Sequence, residues 1–255
     1  MLIPKLKFIV ASLDEVFPII HKFLNPSRED WDWSERIYWH YPQLRKRVSS
    51  VNNPELKKRE EYSFFQELFE REKPLLEENS RIFQREWGKI NDKVMLALSD
   101  IVEQEWPNKY ATITARVSIN PICPRDINRG VFDVFYKESI NSMKEVVIHE
   151  LLHFIYFEKW INVFPETDRR EFEYPHLVWH LSEMVPGIIL NDERIQRIFR
   201  HEFHSYEEYE SIMIKDKPLL RHLQEFYDHR RSFEDFLRNS WNFIQTYREE
   251  IFSGI

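Results

Sequence analysis

The chain has 255 residues, of which 42% are hydrophobic and 15% aromatic, a composition that excludes disorder and suffices for a core without disulfide staples. Only four glycines accompany 31% charged residues, which disfavours a turn-rich all-β fold. A formal net charge of −7 excludes a global basic footprint for nucleic acid, and the lone cysteine, Cys123, cannot form an internal disulfide.

The first twelve residues are apolar only in short runs broken by Pro4, Lys5 and Lys7. We expect neither a secretion signal nor a membrane span there, and hence a soluble cytoplasmic protein. The first hundred residues read as helices. Residues 14–24 form a short amphipathic run ending near Asn25 and Pro26, and residues 29–48 are dense in aromatics, with Pro42 as the break. Trp31, Trp33 and Trp39 of that run are expected to pack between helices. Pro54 suits the first position of a helix, followed by residues 55–72 with Leu56, Phe64, Phe65, Leu68 and Phe69 on the buried side. The basic runs at 45–47 and 57–59 are expected to be solvated helix faces. Residues 90–106 form a further amphipathic helix stopped by Pro107.

The texture changes at residue 112. Thr112, Thr114, Arg116 and Ser118 alternate with Ile113, Ala115, Val117 and Ile119, the pattern of a half-buried strand. Pro121, Pro124, Asp126, Asn128 and Gly130 mark a loop, and residues 131–136 form a second short strand. Residues 140–160, 176–199 and most of 205–252 return to helical periodicity. The expected class is α+β with helix dominant, arranged as a helical region over 1–88 and a second region over 89–255.

Inside the apolar run at 146–155 stands His149-Glu150-Leu151-Leu152-His153, a His-Glu-x-x-His motif. Residues four apart share a helix face, so both imidazoles can bind one zinc ion. Glu150 lies at the edge of that face, where its carboxylate can take a proton from a water activated by the metal and pass it to a leaving amine. Ser142 and Glu145 fit a capping box at the helix start. Two histidines and a glutamate on an aliphatic stripe are costly unless something compensates them, and a metal ion does so.

At these residues the chain resembles the zincin metallopeptidases, which carry this motif on an active-site helix. The resemblance spans residues 90–200 and implies a small sheet beside that helix, with an edge strand that pairs with an extended peptide. The metzincin branch would require glycine at 156 and histidine at 159, where this chain has Tyr156 and Lys159. The gluzincin branch takes a glutamate from a second helix downstream, which points to Glu183, with His180 and His176 as rivals for the third position. The acidic residue that many gluzincins place four positions after the ligand is absent, because Gly187 stands there; Asp192 is a substitute. Related enzymes add a Tyr, His or Arg donor for the oxyanion. His201, His204, Tyr206 and Tyr209 are the candidates here, His204 and Tyr206 ahead of the others.

The function these residues imply is a zinc-dependent metallopeptidase acting on a peptide or protein, with no nucleic-acid or membrane partner and with the oligomeric state open. A zinc hydrolase of a non-peptide amide or ester would use the same chemistry. A binding or regulatory protein with a closed structural zinc is the alternative from another class.

Overall fold

A computed structural model describes residues 2–27 and 31–253. Its elements in chain order are β1 (Lys5–Val10), α1 (Leu13–Leu24), α2 (Ser34–His40), α3 (Pro42–Val48), α4 (Pro54–Gly88), α5 (Asn91–Val102), β2 (Thr112–Ser118), β3 (Arg125–Asp126), β4 (Val131–Phe135) and α6 (Ile140–Val163). There follow α7 (Leu177–Met184), α8 (Pro186–Ile189), α9 (Glu193–Phe199), α10 (Glu207–Glu210), β5 (Met213–Ile214), β6 (Lys217–Pro218), α11 (Leu219–Asp228), α12 (Phe233–Thr246) and α13 (Arg248–Ser253). The class is α+β, dominated by helix, with a small mixed sheet. Among the described residues no helix is long and apolar enough to cross a membrane.

The chain forms two compact units, neither of them a continuous stretch. The sheet unit comprises Lys5–Lys89 and Thr112–Val147; the helical unit comprises Met1–Pro4, Ile90–Ala111 and Ile148–Ile255.

In the sheet unit the strand order is β1-β2-β4-β3, with β1, β2 and β4 parallel and β3 antiparallel to β4. The strand β1 corrects the expectation that the first hundred residues are helical. Leu6 and Phe8 are buried and Lys5 and Lys7 exposed, a two-residue alternation. Its partner is β2, with Lys5 opposite Thr112, so the pairing that stabilises it lies far along the chain. The outer edge of β1 is occupied by Gln84 of α4, whose amide accepts from Phe8 N at 3.0 Å and donates to Leu6 O at 3.1 Å. A side chain thus takes the place of a neighbouring strand.

The central strand β2 is buried on both faces from Ala115 onward, not on one as its alternation suggests. Arg116 on the polar face pairs with Asp133 of β4 at 2.7 Å. Burial raises the Asp133 carboxyl to about 6, with Arg116 opposing the shift. The helix beginning at Pro54 is capped by Asn53, which accepts from Leu56 N, and runs through Pro74 to Gly88, well beyond the expected end at residue 72. Phe65, Leu68, Leu76, Phe83 and Trp87 line its buried side. Of the aromatic cluster, Trp31 and Trp33 stack with centroids 5.6 Å apart, whereas Trp39 is 77% exposed and does not pack between helices. Glu29, at the start of that expected run, lies outside the described residues.

In the helical unit α5 ends at Val102 with Glu103 in the left-handed region, before Pro107 can act. The helix α6 starts at Ile140, in residues of the sheet unit, and enters the helical unit at Ile148; Ser139, not Ser142, supplies its cap by accepting from Ser142 N at 3.1 Å. Aromatic contacts fill the core around its C-terminal turns. Phe157 stacks on Phe172 at 4.2 Å, and Trp160 meets Trp241 edge-on at 5.2 Å. The helix α12 packs on α7 and α11 on α8, which anchors the segments downstream of α6.

Candidate metal centre

Helix α6 is apolar almost all round. Ile148, Leu151, Leu152, Phe154 and Ile155 are all buried, so polar side chains among them lose water on folding. Three sit there: His149, Glu150 and His153. His153 is 1% exposed and Glu150 5%. The His149 side chain retains 24% of its exposure, so this side of the cluster opens to solvent.

The third member comes from α7. Glu183 is buried on a helix whose residues from Val178 to Met184 are all buried. Its Oε2 lies 3.2 Å from His149 Nε2 and its Oε1 3.5 Å from His153 Nε2, while the two Nε2 atoms are 3.0 Å apart. A tetrahedral ion with metal–donor distances of about 2.0–2.2 Å holds its donors about 3.3–3.6 Å apart. The separations of 3.0, 3.2 and 3.5 Å lie within or just below that range, so small outward shifts of the side chains would admit an ion. Among the described residues this is the one group of three or more His, Cys, Asp or Glu that could hold such an ion.

The rivals for the third position lie elsewhere. His176 is exposed at the N-cap of α7. His180 is buried in an aromatic enclosure of Tyr174, Trp179, Tyr209 and Phe252. Its Nδ1 is 2.9 Å from the Tyr209 hydroxyl. Burial lowers its pKa to about 4, against the opposing pull of Glu183, so the ring is neutral at physiological pH. Asp192, the substitute for an acidic residue at 187, is committed to other partners. It caps α9, binds Arg194 at 2.8 Å and accepts from the Tyr227 hydroxyl at 3.0 Å.

The oxyanion-donor candidates separate clearly. The Tyr206 ring stands edge-on to His149, with centroids 6.4 Å apart. Tyr209 is buried against His180. His201 is exposed beside Phe203. His204 turns to solvent, its Nδ1 3.9 Å from Glu210.

Two features here have no signal in local sequence. The His180–Tyr209 pair joins residues 29 apart, and no helical spacing connects them. Asn191 holds Phe203 by both main-chain groups, accepting from its N at 3.0 Å and donating to its O at 2.8 Å. Compared with known proteins, the chain matches no family model, no curated protein and no solved structure.

Proposed function

We propose that the chain is a zinc-dependent metallopeptidase of the gluzincin type, with His149, His153 and Glu183 as the metal ligands. The observation that carries this reading is the trio of donor separations, 3.0, 3.2 and 3.5 Å, with Glu150 next to His149 in the chain and outside the trio. Two imidazoles and one carboxylate suit zinc better than the harder magnesium or calcium. A zinc ion held there by His149, His153 and Glu183 would supply Lewis acidity and would bring the pKa of water to about 7. Glu150 takes a proton from the attacking water and delivers it to the departing amine nitrogen. Tyr206, edge-on to His149, is the residue we assign to donate a hydrogen bond to the oxyanion. His204, exposed beside Glu210, has no role in this scheme.

The partial exposure of His149 favours this reading over a closed structural site, since a catalytic metal needs an open position. The substrate class is a peptide or protein. The experiment is elemental analysis of gently purified protein, followed by peptide-library hydrolysis with the native chain and with Glu150→Gln. We expect one zinc per chain in both and cleavage by the native chain alone. A chain that neither carries zinc nor takes it up at micromolar concentration ends the proposal. Cleavage retained in Glu150→Gln removes Glu150 from the chemistry.

A further inference from the structure

Residues 201–206 have no regular secondary structure, and the side chains of one small region hold several of their polar groups. Asn191 binds Phe203 N and O and also donates to Gly187 O at 2.6 Å. Gln196 donates to Asn191 Oδ1 at 3.0 Å and to His201 O at 2.5 Å, which holds the clamp in register. Ser205 donates to Met184 O at 2.7 Å, one residue past Glu183. Between these anchors the segment passes directly over Gly187. A Cβ there would lie 2.7 Å from both Ser205 N and Ser205 Oγ and 3.0 Å from the His204 carbonyl carbon. The next residue along, Tyr206, is the one whose ring meets His149.

We infer that residues 203–206 form a strap, fastened by Asn191 and Ser205 and admitted by the bare Cα of Gly187, that positions the Tyr206 ring against His149, one of the proposed metal ligands. This deepens the proposed function and rests on it. It also accounts for the missing acidic residue at 187. That position is given over to backbone passage, because any side chain would displace the strap. Asn191, Gly187 and Ser205 are therefore positioning residues that act through Tyr206. Preorganisation of this kind matters because a displacement of about 1 Å at a reacting group can cost about a hundredfold in rate.

The test reads the position of Tyr206 independently of catalysis. The full chain is labelled with 3-fluorotyrosine, the residue-206 resonance is assigned by its loss in Tyr206→Phe, and the protein is titrated with Co2+ alone. A bound paramagnetic ion should shift that resonance strongly. In Asn191→Ala, Gly187→Ala and Ser205→Ala the shift should shrink or split while cobalt stoichiometry holds at one. Turnover with zinc should fall about tenfold or more in these variants, mainly in kcat. Adding Asn191→Ala to Tyr206→Phe should cost nothing further. Ser205→Ala removes only a hydroxyl, so it keeps the test usable if the bulkier changes unfold the chain. An unchanged Tyr206 shift in the folded variants overturns the strap and leaves the metal reading standing. If cobalt binds but no peptide is cleaved, the peptidase reading fails and the shift still decides the strap. If no cobalt binds, both fall.

Discussion

Nε2 of His149 faces Nε2 of His153 at 3.0 Å, with the Glu183 carboxylate within 3.5 Å of each. His153 and Glu183 are almost wholly buried, and the three groups together could hold one divalent cation. Zinc at a thousandfold excess over its dissociation constant should therefore stabilise the fold by about 4 kcal/mol. A melting curve with zinc should lie several degrees above one with a strong chelator. Superimposed curves would show that the cluster binds no metal in the folded chain.

The two titratable residues of α7, His180 and Glu183, are expected to separate by function. Glu183→Ala removes a proposed ligand and should reduce zinc retention on dialysis by orders of magnitude. His180→Phe removes a neutral ring packed among Tyr174, Trp179, Tyr209 and Phe252. It should leave one zinc per chain and destabilise the fold by about 1–3 kcal/mol, because the Tyr209 hydroxyl loses its buried partner. Loss of zinc from His180→Phe, with retention in Glu183→Ala, would exchange their roles.

Asp192 should shape the acid limb of stability. Burial opposes its ionisation, but hydrogen bonds from Arg194 and Tyr227 prevail and bring its carboxyl to about 2, below the ordinary 3.8. A carboxyl depressed in the folded state contributes stability that is present above the ordinary value and lost as pH falls through the folded one. The contribution is on the order of 2 kcal/mol. Asp192→Asn should flatten the urea-denaturation profile between about pH 4 and pH 2. An unaltered slope would place the acid sensitivity elsewhere.

The Arg116–Asp133 pair should show the asymmetry of buried charge. Asp133→Ala leaves a buried guanidinium without its anion and should cost about 3–5 kcal/mol. The double replacement Arg116→Met with Asp133→Leu removes both charges and should cost far less, being near neutral in comparable cases. Equilibrium unfolding of the three proteins measures this directly. Equal losses in the single and double variants would contradict it.

Much of the fold is legible in local pattern. The strands at 112–119 and 131–136 appear as period-two alternation and apolar density, and the start of α4 as Pro54 at its first position. The misses have physical causes. The six residues of β1 are a strand because β2 pairs with them, and that pairing spans about a hundred positions. The polar face of β2 is buried because Asp133 neutralises Arg116, a partner that alternation cannot reveal. The length of α4 is hidden by Pro74, which local rules treat as a break.

The sequence by itself determined that His149 and His153 share one face of an apolar helix with Glu150 beside them, because four-residue spacing is a property of helix geometry and needs no other part of the chain. Only the tertiary structure decided that Glu183 comes within 3.5 Å of both imidazoles, that His180 turns into an aromatic enclosure, and that Tyr206 rather than His204 meets His149. Those outcomes depend on where α7 docks and on how Asn191 and Ser205 fasten a segment without secondary structure. Such contacts join residues far apart in the chain, and their geometry exists only once the core around α6 has packed.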